Sequence, residues 1–525
     1  MFKKTSFLFN TIEKQIFWVT WIIYSYYFAA RGGSIATSIT SLTKAIVNEH
    51  TIIIDNFLID KTDLAFFGGH FYSGFSPALS FILSPFYFLL KIIGTPVLQL
   101  FNISPLILDK TPIISALLGP FTVALITALG IAFFYKLTGF FSKDKKMRLF
   151  ATVSLAFGTI FFFYGSLLWA RIISGAIGII AFYFIIKAQN EKKGNFVLIG
   201  VIAGIGILFE YTYGLLLILF VLYVFFIMKK KKALLFSIGI IIASLPLLLY
   251  QYVAFNNPFI TPYHTRFALA NNVYQIIPNI TTILEDTILP FDGLFIFCPI
   301  LLIGLICLIL AIKKNLFRKE MIFCLIVFIA FAIYISSTIT TNVCAFGPRF
   351  FLLAIPFLAL PLVFAKQFFK SSLIKIVFVI SIFINLIGAQ NPNICVQGYG
   401  RLLWFFERFL EFGPTNTRFN FLVNLNFLPL TIILELVLLN LAILFCFFVL
   451  GYNTKQRISG FLYKNKNILN CLILLSIVFV IMAFLLPIKN FGVMWLVVWI
   501  IIIIELIILK IWISYNDTWS KIEYE

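Results

Sequence analysis

Charge is what this sequence has least of. Only 11% of its 525 residues are charged, Asp and Glu together number 20 against 40 Lys and Arg, and there are three His. That scarcity argues against a water-soluble domain, whose surface is normally rich in charge. Cysteine is also sparse, and the seven Cys show no metal-ligand spacing. Cys298, Cys307, Cys324, Cys446 and Cys471 sit in apolar runs, where Cys behaves as a small hydrophobe. Only Cys344 and Cys395 reach loops on the outer side, and two Cys in separate loops say nothing about the distance a disulfide needs. A small-residue cleavage pattern is lacking after the first apolar run, Ile16 to Ala30, which follows Lys3, Lys4 and Lys14; it reads as a retained signal-anchor.

What is present is hydrophobicity. Apolar residues make up 62% of the chain, 65 of them Phe, and the mean hydropathy is +1.05. Soluble domains use roughly 45 to 50% apolar residues. A polytopic, all-α integral membrane protein is expected, with about 14 transmembrane helices of ~20 residues or somewhat fewer. The apolar runs lie near residues 16–30, 112–135, 149–166, 172–188, 196–209, 211–228, 233–252, 292–312, 320–338, 350–366, 373–390, 427–450, 468–487 and 491–513. Residues 77–94 form a further apolar stretch, but it holds Pro77, Pro85 and Lys91. It is expected to lie in the outer leaflet or to dip back. Only then do the Lys clusters at Lys143 to Arg148, Lys187 to Lys193, Lys229 to Lys232, Lys313 to Lys319, Lys366 to Lys375 and Lys455 to Lys466 all fall on the cytoplasmic side, as the positive-inside rule requires. Both chain ends are then cytoplasmic, and Glu210 marks the outer turn of a tight hairpin.

Under this topology Lys is internal except at Lys44, Lys61, Lys91, Lys110 and Lys489, whereas Arg31, Arg171, Arg266, Arg349, Arg401, Arg408 and Arg418 lie outside. An Arg held against the charge bias needs a local reason. A planar fork of donors suits phosphate better than an ammonium does, although snorkelling at the headgroup level accounts for some of these positions. All three His also fall outside. The net charge of +20 is therefore mainly an orientation and lipid signal. No nucleic-acid partner is implied, because the basic residues interleave with spans and form no single solvated face.

Polar residues on the outer side gather in four loops. The first opens with "SIATSITSLTKAIV", in which Ile35, Ile39, Leu42 and Ile46 recur at helical spacing opposite Thr, Ser and Lys44, the pattern of a helix lying in the membrane plane. "IDKTDLAFFGGHFYSGFSPALSF" follows it. The others hold "TPYHTRF" with "LEDTILPFDG", then "TTNVCAFGPRFF", then "RLLWFFERFLEFGP", again with the wet edge of an in-plane helix.

This plan, a first span, an in-plane helix, an acidic loop and then "GGHFYSGFSPALSFILSPFY", resembles the first outer loop of the GT-C superfamily of polytopic glycosyltransferases. It is more closely similar to a prokaryotic group whose loop reads roughly G-H-Y-Y-S-x-x-x-P-G. Further matches are "FGPRFFLLAIPFLALPL" at 346–362, "YQYVAFNNPFITPYH" at 250–264, "FDGLFIFCPILL" at 291–302 and "FEYTYGLLL" at 209–217. The resemblance spans residues 1–426 as a catalytic module, and the spans after 427 carry no motif and read as accessory. It implies transfer of a sugar from a polyprenyl-phosphate donor to an acceptor on the extracytoplasmic face of the cell membrane, with membrane lipids as the other partner.

Two departures stand out. The Asp that such enzymes carry soon after the first span is replaced by Arg31-Gly32-Gly33-Ser34, and an Asp-Lys before the Pro is replaced by Gly74-Phe75. The acidic role would pass to Asp63, then Asp55, then Asp60. Arg349 is the first choice for the donor phosphate, followed by Arg171 and Arg266; His70, Tyr72 and His264 would line the sugar or acceptor pocket. No cofactor is called for, and no ligand spacing compels a metal, although a divalent ion would be an alternative source of positive charge. The rival classes are a transporter or flippase, which tends to place ionisable groups at mid-membrane and to show repeats, and a non-catalytic scaffold. The spans carry few charges away from their ends, notably Glu435 and Glu505, and no repeat shows.

Overall fold

A computed structural model describes residues 11–29, 33–58, 63–100, 102–265, 293–337, 346–390 and 402–412. Among them the protein is mostly helical, and six helices are long and apolar enough to cross a membrane: Ala78–Leu100, Thr111–Thr138, Ala170–Glu191, Lys230–Phe255, Arg318–Ser336 and Ser371–Gln390. Other expected spans are shorter or broken. Ile12–Tyr26 has 15 residues. Lys145–Phe157 stops before Gly158 and resumes at Phe161–Gly165, and Arg349 to Phe368 is divided into short turns around Pro356 and Pro361. The expected spans after residue 427, the Cys344 and Cys395 loops, and Arg31 lie outside the described residues.

The all-α expectation has one exception. Within the first loop, strands β1 (Leu64–Phe67) and β2 (His70–Ser73) form an antiparallel hairpin in which Phe67 faces His70 across a two-residue turn. Gly68 and Gly69 both have positive φ, 60° and 87°, as a type I′ turn requires of its central residues. The outer edge of β1 is closed by Phe66 N–H donating to the Thr265 carbonyl at 2.8 Å, so the hairpin draws residues 262–265 onto itself.

Helix Ser34–Glu49 forms as its periodicity predicts, but its polar face is not wet. Ser38 meets Ser73 at 3.1 Å, Thr40 meets Thr111 at 2.8 Å, and Ser80 donates to the Ile39 carbonyl at 2.9 Å. Lys44 is only 4% exposed, with its ammonium 5.5 Å from the centre of the Phe57 ring. Burial pulls the Lys44 pKa down, and the Asp109 carboxylate opposes the shift. The reading of a helix lying freely on a bilayer surface is therefore corrected: the hairpin and a neighbouring helix cover the face that sequence alone assigned to water, because paired hydroxyls make it a packing surface.

That neighbour is Ala78–Leu100. Where a dip was expected there is one continuous helix of 23 residues, about 34 Å long, that accommodates Pro85 and Pro96. It runs alongside Ser34–Glu49, Ser80 meeting Ile39 near one end and Tyr87 reaching Asn48 near the other. The chain then turns back through residues 105–109, where Asp109 binds Lys91 at 3.2 Å and also takes the Tyr87 hydroxyl bond. Thr111, at the start of the next span, sits against Thr40. The residues before and after this segment thus flank the same helix.

Helices Phe196–Leu208 and Lys230–Phe255 pack through small residues. A Cβ on Gly200 would meet the Phe236 carbonyl oxygen at 2.0 Å, one on Gly239 would meet that of Val197 at 2.1 Å, and Gly204 abuts Ala243. Such small-xxx-small seams let backbones approach where no water drives association. Their parallel alignment brings residues 209–212 to the end at which Tyr250 and Gln251 stand.

Gly200→Leu is expected to lower the unfolding midpoint in detergent, with overpacking costing about 1 to 3 kcal/mol, whereas truncation of the outward-facing Leu198 is neutral. Equal midpoints for Gly200→Leu and wild type would show that the seam is not tight. In topology labelling, Asn56→Cys should react from outside intact cells and Lys143→Cys only after permeabilisation; labelling of both from the same side would overturn the assigned sidedness.

Candidate functional site

The site is built where the ends of four segments meet. Arg171 stands in the first turn of Ala170–Glu191, a helix whose N-terminus has no side-chain cap. Unsatisfied N–H groups and the helix dipole make that end attractive to anions and unfavourable for a cation. Arg171 is nonetheless 6% exposed and Glu210 5%, and they pair at 3.0 Å through Nε and Oε2. Glu210 is held in turn by the Thr212 hydroxyl at 3.1 Å, and Ser174 donates to the Gly206 carbonyl at 2.8 Å, tying the turn to the helix. The pair leaves the buried Nη1 of Arg171 without a hydrogen-bond partner.

Arg349 is half-buried beside it. Gly347 has φ 67°, a position where a Cβ would strike Phe297, and Pro348 follows; the Arg349 N–H then donates to the Gly347 carbonyl at 2.9 Å. This turn points the side chain over the Trp169 ring, 5.5 Å from its centre, while Arg171 lies 4.4 Å from the centre of Phe350. Arg349 is within electrostatic reach of Arg171, Asp63, Tyr164 and Tyr263. Two guanidiniums kept close in a poorly solvated place repel each other unless negative charge offsets them. Glu210 offsets one, and Asp63 acts on the other.

Asp63 sits at the entrance to β1 and accepts a hydrogen bond from Ser34, the first residue of helix Ser34–Glu49. Ser34, in the stretch that lacks a carboxylate of its own, is thus set against one from across the loop. Gly74 is part of this arrangement: a Cβ there would lie 2.1 Å from the Asp63 carbonyl oxygen.

The other predicted residues separate from this cluster. Asp55 accepts from the Phe71 N–H at 2.7 Å and meets His70 Nδ1 at 2.7 Å. Both side chains are open to solvent, and together they pin the 55–57 turn to the hairpin. His264 Nδ1 contacts the Thr261 hydroxyl at 2.9 Å within a capping box of the 262–264 turn and is exposed. Tyr72 packs edge-on to Phe255 at 5.5 Å; burial, with the Asp55 charge adding to it, pushes its pKa up and keeps it a neutral phenol. Asp60 and Arg266 lie outside the described residues. Among the described residues no three His, Cys, Asp or Glu converge as a metal site.

Sequence reasoning missed Glu210 as a partner and gave no role to Tyr263, whose ring meets Tyr211 at 5.7 Å and whose hydroxyl acts on both Arg. The available signal was a lone carboxylate between two apolar runs, in a sequence with few carboxylates. Comparison with family models, with curated proteins and with solved structures finds no match.

Removing Glu210 strands a buried cation, so Glu210→Ala should destabilise by about 3 to 5 kcal/mol, the usual result of breaking one side of a buried pair. Adding Arg171→Met should restore much of that loss. An additive double mutant in detergent unfolding would show that the two charges are not coupled.

Proposed function

We propose that the protein is a membrane glycosyltransferase, built like the GT-C enzymes with about 14 spans, that moves a sugar from a polyprenyl-phosphate donor to a hydroxyl acceptor outside the cytoplasm. The observation that carries this reading is the buried Arg171 beside Arg349, one with an unpartnered nitrogen and both near an uncapped helix N-terminus. That combination suits a phosphate. The exposed apolar face of Ala78–Leu100, with Phe81, Phe88, Leu89, Ile92 and Ile93, offers a surface on which a lipid tail can lie. Asp63 adds a carboxylate within reach of Arg349.

The chemistry is displacement at the anomeric carbon. The acceptor oxygen forms the new C–O bond while the bond from the anomeric carbon to the phosphate oxygen breaks, and the electron pair leaves with the phosphate. Asp63 accepts the proton of the acceptor hydroxyl or holds that hydroxyl in line. The guanidiniums stabilise the charge that grows on the leaving phosphate. Asp55 is already committed to Phe71 and His70, which ranks it below Asp63.

The test is transfer by the purified chain in lipid discs with a panel of polyprenyl-phosphate sugars and alkyl-glycoside acceptors. Asp63→Asn should abolish transfer and retain donor binding, and Asp55→Asn should leave chemistry intact while loosening the hairpin. Arg349→Lys should weaken donor use about tenfold or more, since a hydrogen bond to a charged group contributes roughly 1.5 to 3 kcal/mol. Full turnover by Asp63→Asn, or equal donor affinity in Arg349→Lys and wild type, would overturn the reading.

A further inference from the structure

Beside the two guanidiniums lies a second polar cluster that phosphate binding does not use. Ser76, between β2 and Ala78–Leu100, Tyr211, after Phe196–Leu208, and Tyr250, near the end of Lys230–Phe255, each carry a hydroxyl oxygen shut off from solvent and without a hydrogen-bond partner. Ser76 is 2% and Tyr250 5% exposed, and Gln251 is buried with them. They belong together: Tyr211 faces Ser76 and Gln251, and Tyr250 lies within reach of Tyr211 and Tyr72. Ser76 and Gln251 lie within long hydrogen-bonding reach of the Tyr211 hydroxyl, but no two of the three hydroxyls come together at full hydrogen-bond distance and angle. Tyr263 joins this cluster to the guanidiniums, packing on Tyr211 and acting on both Arg171 and Arg349.

Buried hydroxyls left unbonded are unfavourable, and several gathered in one place mark a spot where a polar occupant, ligand or water, would complete them. The chemistry of the cluster restricts what that occupant is. Ser76, Tyr211, Tyr250 and Gln251 are all neutral, so a charged ligand would find no counter-charge among them. Each is able to donate and to accept, which matches hydroxyl groups. Aromatic rings of Tyr72, Tyr263 and Phe81 stand around them, Phe81 meeting Tyr250 edge-on at 6.3 Å, and provide apolar surface for the C–H face of a ring. Neutral hydrogen-bonding groups among aromatic walls, next to a phosphate site, describe a pocket for a polyhydroxylated ring.

We propose that the cluster of Ser76, Tyr211, Tyr250 and Gln251 is the pocket for the sugar ring of the donor, and that Tyr211 and Ser76 select among sugars by their hydroxyl pattern. The proposal rests on the phosphate reading of Arg171 and Arg349. A site built to bond a substrate hydroxyl discriminates strongly against an analogue that lacks it, because its own groups are then left unpaired.

The experiment measures binding to the purified full chain in lipid discs, using undecaprenyl phosphate alone and the same lipid carrying glucose, mannose or galactose. In wild type at least one sugar should tighten binding about tenfold over the bare lipid phosphate, the scale of one or two net hydrogen bonds. Tyr211→Phe, which removes one oxygen and keeps the ring, and Ser76→Ala should each lose most of that gain. Both should bind the bare lipid as wild type does, whereas Arg349→Lys weakens both ligands in parallel. Variants that keep the whole gain, or a wild type that gains nothing from any of the three sugars, would mean that the hydroxyls hold only water and would overturn the pocket while leaving the phosphate reading standing. A wild type that binds none of the four lipids would overturn both.

Discussion

A guanidinium cannot stay unpaired in a dry place, and Arg171 is buried at the end of a long apolar helix. Much of that end of the molecule is arranged to meet this demand. Glu210 has to reach Arg171, so the turn that carries it must dock on the first turns of Ala170–Glu191. The Ser174 bond to Gly206 and the glycine seam against Lys230–Phe255 hold it there. Once the turn is set, Tyr211 faces Ser76 and Gln251 without further adjustment. The pair is neutral as a whole, yet Nη1 remains unsatisfied, so one side chain carries both a stabilising ion pair and an unused donor.

The first loop obeys a second constraint, that backbone and hydroxyl groups near lipid be paired. Helix Ser34–Glu49 pairs its Ser and Thr with β2, with the start of Ala78–Leu100 and with Thr111. The hairpin pairs its open edge with Thr265. Through these bonds the described parts of the loop are tied to the helices around them, and Asp63 is held next to Ser34. An acidic group thereby comes beside Ser34 from a position distant in the chain, because the fold supplies a proximity that the spacing of residues does not.

Much of this was legible from local pattern. The apolar runs marked the long helices, and Gly347-Pro348 marked a fixed turn before Arg349. Asp63 was singled out because acids are scarce and it lies in the best-matched loop, and Arg171 and Arg349 because Arg on the outer side runs against the Lys bias; the fold brings those three within one neighbourhood. The same scarcity did not distinguish the acids by use: Asp55 and Asp63 look alike as letters, but one is consumed by an N–H and a His while the other faces a guanidinium. The hairpin strands were hidden inside an aromatic-rich stretch whose alternation is too short to separate from a helix.

By itself the sequence determined the solvent and the building blocks, since hydropathy and helical period depend only on neighbouring residues, and those properties act wherever the segment lies. Tertiary structure alone decided that Ser34 bonds Asp63, that Glu210 offsets Arg171 and that three hydroxyls from distant segments stay unbonded together. Each of these is a contact between residues far apart in the chain. Its energy depends on distance and on local dielectric, and neither quantity is encoded in the spacing of letters.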